Sequence, residues 1–116
     1  MQRKTEQEQR DLFPGALEMM ILQIVRREPT HGYALAQTIK QASEDLLQVE
    51  DGSLYPALTR MLKAGWLTAD WGLSARSRKV RTYRITAAGR KQLAREVSGF
   101  KQMMDGITRV MRTAEP

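Results

Sequence analysis

A chain of 116 residues with 19 Lys and Arg against 13 Asp and Glu has a formal net charge of +6, which suits one compact domain with a polyanionic partner. It has no cysteine and a single histidine, His31, which excludes a disulfide framework, thiolate metal sites and a histidine-rich metal cluster within one chain. No apolar run approaches the roughly 18 residues that span a bilayer, and the opening MQRKTEQEQR lacks the apolar centre of a secretory signal, so a cytoplasmic protein without a membrane partner is expected.

Residues 1–11 are polar and mixed in charge and read as a mobile arm or a frayed helix start. Pro14 then fits an early helical position, where its missing amide hydrogen costs nothing. Leu17, Met20, Ile21 and Ile24 recur at three and four residues and define a buried stripe. Pro29 disfavours helical geometry in the residue before it, so this helix should end near Arg27. Thr30 is placed to cap a second helix, in which Leu35, Ile39, Ala42 and Leu46 form the apolar line and Tyr33 and Ala36 broaden it. Gln37, Lys40 and Gln41 point away from that line.

After the acidic residues Glu44, Asp45, Glu50 and Asp51, a third helix should run from Gly52 or Ser53 to Ala64. Asp51 or Ser53 can accept from the free amides of its first turn, and Pro56 is tolerated within that turn. At about 100° per residue, Leu54, Leu58, Met61 and Leu62 fall on one side. Ser53, Ala57, Arg60 and Ala64 fall on the other, with Pro56 and Lys63 at its edge. That outer face is small and nearly free of acid, as suits a helix that approaches a surface closely.

Gly65 stops the helix and the period changes. Two extended segments, Trp66 to Gly72 and Val80 to Ile85, read as a ribbon, with Tyr83 and Ile85 packing beside Leu67 and Ala69. From Arg76 to Lys91 seven of sixteen residues are basic and none is acidic. Thr86 then caps a helix from Ala87 to about Thr113. In it Leu93, Val97, Phe100, Met104, Ile107 and Met111 are spaced as the seam of a coiled coil. Such a helix is about 40 Å long, more than three short helices can cover, so its stripe implies a second subunit. Gly99 and Gly106 weaken it by nearly 1 kcal/mol each relative to Ala.

The chain is therefore expected to be mainly α with a two-stranded β ribbon: a winged helix-turn-helix domain at residues 12–85, preceded by the polar arm and followed by a C-terminal dimerisation helix at residues 86–116. In that layout the third helix enters the major groove of double-stranded DNA and the ribbon tracks the backbone beside it. Arg60 is placed to read guanine or touch phosphate, Ser53 to hold phosphate at the helix start, Tyr55 to combine core support with a phosphate contact, and Pro56 and Lys63 to flank them. Arg76, Arg78, Lys79 and Arg81 supply the wing, with Thr30, Gln37 and Lys40 as weaker phosphate candidates on the second helix. His31 reads as structural. No nucleophile sits near a base, no carboxylate pair suits a pocket and no glycine-rich phosphate loop occurs, so neither catalysis nor a cofactor is expected.

These motifs carry a resemblance. PGALEMMIL (Pro14 to Leu22), HGYALAQTI (His31 to Ile39), VEDGSLYPALTRM (Val49 to Met61), Gly65 with Trp66, Trp71 with Gly72, and RTYRITAAGRKQL (Arg81 to Leu93) together resemble the PadR family of bacterial transcriptional regulators, in the short form with a single C-terminal helix. They are spread over about two thirds of the chain. The resemblance implies a homodimeric DNA-binding regulator, usually a repressor, with Ser53, Tyr55 and the surface around Arg60 facing DNA, and a two-fold dimer of this layout would prefer an inverted-repeat operator. It also allows a small hydrophobic effector, for which Phe100, Met104 and the first helix could line a cleft. Thr82 and Tyr83 stand where relatives often have two aromatic residues. The competing reading is a winged-helix protein-interaction module that docks through its last helix and binds nucleic acid weakly.

Overall fold

The computed structural model describes residues 15–113; the arm at residues 1–11 and the place expected for Pro14 lie outside them. The described chain comprises α1 Ala16–Arg27, β1 Thr30–His31, α2 Gly32–Ala42, α3 Asp51–Lys63, β2 Leu67–Leu73, β3 Lys79–Ile85 and α4 Ala87–Thr113. One apolar core joins them: Ile21, Leu22 and Val25 of α1, Leu35 and Ile39 of α2, Val49, then Leu54, Ala57, Leu58 and Met61 of α3, with Leu67, Tyr83 and Leu93. Among the described residues none of the buried set is polar or charged.

Tertiary packing moves several boundaries. In α1 the most buried residues are Ile21, Leu22 and Val25, whereas Leu17, Met20 and Ile24 are half-buried. The stripe is thus turned by about one residue, or 100°, from the one that spacing alone selects. Met20 and Ile24 instead line an open groove beside α4. Thr30 does not cap α2: Thr30 and His31 pair antiparallel with Tyr83 and Thr82 as β1, which makes the expected two-stranded ribbon a three-stranded sheet in the order β1-β3-β2. The Thr30 hydroxyl donates to the Glu28 carbonyl at 2.8 Å. Helix α2 starts at Gly32 and ends at Ala42, so Leu46 falls beyond it; Ala42 and Leu46 are both exposed. Glu44 and Asp45, at φ 53° and 67°, reverse the chain, and Val49 takes the core position that the spacing offered to Leu46. Tyr33 does not widen the apolar side either; it is exposed and stacks on the His31 ring at 5.4 Å.

Helix α3 begins a residue or two earlier than expected, at Asp51, with Glu50 at the cap position and no side-chain cap. Pro56 therefore stands in the second turn, not the first, and the carbonyl of Gly52 loses its usual donor four residues on. Gly65, at φ 80°, ends the helix in a conformation that side chains with a β-carbon resist. Strands β2 and β3 then pair from Leu67↔Ile85 to Leu73↔Lys79. Leu67 and Tyr83 enter the core and Ala69 and Ile85 pack against it, as alternation required.

Thr86 is the joint between ribbon and last helix. Its amide donates to the Trp66 carbonyl at 3.1 Å, its hydroxyl donates to the Gly65 carbonyl at 2.6 Å, and the same oxygen accepts from the Gly89 amide at 3.0 Å. Gly89 sits so close to the Trp66 carbonyl that a β-carbon would overlap it. Beyond this joint α4 packs chiefly on α1.

Candidate nucleic-acid interface

Helix α3 buries Leu54, Ala57, Leu58 and Met61 and exposes Ser53, Pro56, Arg60 and Lys63. Ala57 was expected on the outer face. It is fully buried because it sits one turn from both Leu54 and Met61 and shares their direction. The outer face is therefore a stripe at residues 53, 56, 60 and 63, spaced three, four and three apart. Nor is it free of acid: the Arg60 guanidinium donates to the carboxylate of Glu18, on α1, at 2.8 Å. The Arg60 side chain is 61% exposed and that of Glu18 17%. An exposed pair of this kind is worth about 0–1 kcal/mol, so a phosphate or a base edge can compete for the arginine.

Tyr55 lies where α3, α2 and the sheet meet. A β-carbon on Gly32 would stand 3.1 Å from the Tyr83 ring and 3.6 Å from the Tyr55 ring, so both rings close over that point and a larger residue would press on Tyr83. Tyr55 is 41% exposed. Burial holds its phenol above the ordinary tyrosine range, the Asp51 carboxylate adds to this and Tyr83 contributes least. The hydroxyl therefore keeps its proton at neutral pH and can donate it. The His31 Nδ1 lies 2.9 Å from the Thr82 hydroxyl, tying the start of α2 to β3.

The hairpin presents its cations in two ways. At the tip the Ser74 hydroxyl accepts from the amides of Arg76 and Arg78 at 3.3 and 3.2 Å, and Ser77 turns at φ 60°, so both arginines project from a tight turn. Along one face, Lys79 Nζ lies 5.2 Å from the centre of the Trp71 ring and the Arg81 guanidinium carbon 5.5 Å from it and 5.8 Å from Tyr83. Each such contact is worth about 0.5–1 kcal/mol at an exposed site. The Arg81 Nε is buried without a hydrogen-bond partner. On the opposite face Arg84 pairs with Asp70 at 3.6 Å. Among the described residues no carboxylate pairs with Lys63, Arg76, Arg78, Lys79 or Arg81.

Gln37 and Lys40 are exposed on α2, while Thr30 belongs to β1. The seam on α4 divides. Leu93 is not free for a partner, being buried in the chain's own core, and Val97 packs on that core; Phe100 is half-buried, and Met104, Ile107 and Met111 are exposed with Met103 and Val110. An apolar groove of about 480 Å³ runs between α1, the end of α2 and α4, lined by Met19, Met20, Ile24, Ile39, Leu47, Val97 and Phe100. Phe100 and α1 do line it, but Met104 is not one of its walls. Among the described residues no cluster of metal-binding side chains occurs, and no helix is long and apolar enough to cross a membrane.

Two residues of this surface escaped sequence reasoning. Glu18 is 42 positions from Arg60, and no local pattern joins them. Trp71 was accessible in principle, since a hairpin that pairs Leu67 with Ile85 must also pair Trp71 with Arg81.

The model of the PadR-like transcriptional regulator family matches residues 21–95. A PadR-like transcriptional regulator from Bacillus cereus is 28% identical, with a TM-score of 0.71 over 84% of this chain and 93% of its own. A PadR family transcriptional regulator from Eggerthella lenta is also 28% identical, with a TM-score of 0.75 over 86% and 85%. A transcriptional regulator from Clostridium thermocellum, 22% identical, shares the fold at a TM-score of 0.76 over 83% of this chain and 93% of its own.

Proposed function

The chain belongs to the PadR-like family of transcriptional regulators, and from that premise we propose that it is a sequence-specific DNA-binding repressor that acts as a homodimer on an inverted-repeat operator. The observation that carries this reading is the wing: Arg76, Arg78, Lys79 and Arg81 crowd one hairpin, and no carboxylate among the described residues neutralises them. Tyr83, under Arg81, adjoins Tyr55 across Gly32, so the wing's charged face runs onto the flank of α3. Ser53, Arg60 and Lys63 then address the major groove, Tyr55 donates to phosphate, Pro56 stiffens the second turn, and Gln37 and Lys40 flank the approach.

Pairing is supported by the far half of α4, where Met103, Met104, Ile107, Val110 and Met111 are exposed together. A two-fold dimer would set two α3 helices about 34–36 Å apart, one turn of duplex. The apolar groove at Phe100 is the place where a small hydrophobic effector would bind. A protein-interaction module remains the second reading because the same exposed stripe would serve a different partner. Titration onto random genomic fragments at two salt concentrations, with sequencing of the retained DNA, separates the two. The repressor reading expects enrichment of an inverted repeat; equal retention of all fragments defeats it. Sedimentation of the free protein tests the pairing, and a monomer at working concentration defeats that part.

A further inference from the structure

We propose that Trp71 is a positioning residue of the wing: its indole face holds Lys79 and Arg81 side by side as unneutralised cations, aligned for one stretch of nucleic-acid backbone. This rests on the DNA-binding reading above and assigns a role within it to a residue of β2.

Register places Trp71 directly across from Arg81, and Lys79 precedes Arg81 by two residues on the same face of β3. Both cations lie over one ring, at 5.2 and 5.5 Å. Arg84 offers the contrast, on the other face of the same strand, where the Asp70 carboxylate answers its charge. A carboxylate fixes a cation by cancelling it. An aromatic ring attracts it through the quadrupole and leaves its full charge to act on a third body. Among the described residues no hydrogen bond or ion pair occupies the Arg81 guanidinium, whose Nε is buried, so its terminal N–H groups are left to reach phosphate oxygens. Trp71 is 61% exposed, so the stack is open to a ligand. Two flexible side chains thus arrive with part of their ordering entropy already lost, which favours binding without any new contact.

The test uses the full chain and mixed-sequence duplex DNA. Trp71→Leu is expected to weaken binding by about 3- to 10-fold, and Trp71→Phe, which keeps a ring, to recover most of that loss. In a chain already carrying Lys79→Ala and Arg81→Ala, Trp71→Leu should add almost nothing, because its effect passes through the two cations. A loss of the same size in that background overturns the proposal, since Trp71 would then act by packing or by its own contact. If Trp71→Leu does not fold, as circular dichroism would reveal, emission decides: the difference between the parent and Trp71→Phe isolates Trp71, and it must shift on DNA binding. DNA bound with no shift in that difference overturns the positioning role and leaves the regulator reading intact. A parent chain that fails to bind duplex at low salt brings down the regulator reading, and this proposal with it.

Discussion

Arg60 on α3 and Arg81 on β3 both stand on the face read as meeting DNA, yet they are held by opposite means. Arg60 is fixed by a carboxylate that reaches across from α1. Arg81 lies over two aromatic rings and has no acidic partner among the described residues. On the DNA-binding reading proposed above, the wing would attract any polyanion, whereas α3 would release its arginine only to a group that outcompetes Glu18. That reading lodges affinity and discrimination in different elements, one left unpaired and one held by a carboxylate.

The largest effect expected from this division comes from replacing Arg76, Arg78, Lys79 and Arg81 together by alanine. Binding to all duplexes should collapse, and the slope of log affinity against log salt should fall by about 3 to 4, near 0.9 for each phosphate left without its cation. A slope that stays put in a salt titration would erase the distinction between wing and helix. Arg60→Ala should cost about 1–3 kcal/mol of preference for the operator over mixed sequence. Equal weakening on every sequence would make Arg60 a backbone contact like those of the wing. Glu18→Gln should go the other way, tightening binding to mixed-sequence DNA by about 2- to 5-fold, since an exposed ion pair restrains by under 1 kcal/mol. Asp70→Asn, which frees Arg84 on the opposite face, serves as its control and should change binding less.

The smallest effect concerns the junction between the two regions. Because Tyr55 has its phenol raised by burial first and by Asp51 next, the unfolded chain loses that proton before the folded one does. The contribution of Tyr55 to stability is therefore complete below about pH 10, the ordinary tyrosine value, and declines as pH rises through the higher folded value. Urea midpoints of the parent should accordingly fall more steeply above that pH than those of Tyr55→Phe. Parallel curves would remove Tyr55 from the joint.

Where local chemistry decides, the sequence could be read directly. Thr86 and Gly65 set the ends of elements within a residue, and the period-two pattern that sent Tyr83 and Leu67 inward survives in the sheet. Where a distant partner decides, it could not. Residues 30 and 31 became a strand only because β3 offers them a free edge, and Leu93 is buried in the chain's own core and not left for a partner. The basic surface was legible as composition, but its division into a neutralised and an unneutralised part depends on Glu18, Asp70 and Trp71, each brought up by the fold.

The threefold linkage at Thr86 carries a mechanical consequence. One side chain and its amide clamp the stop of α3, the root of the hairpin and the first turn of α4, with no slack segment between them. A helix of this length is a lever arm about 40 Å long, so a tilt of about 5° at its root would sweep the far tip through roughly 3.5 Å. On the proposed reading, a partner held at the distal end of α4 would be linked through this joint to the position of α3.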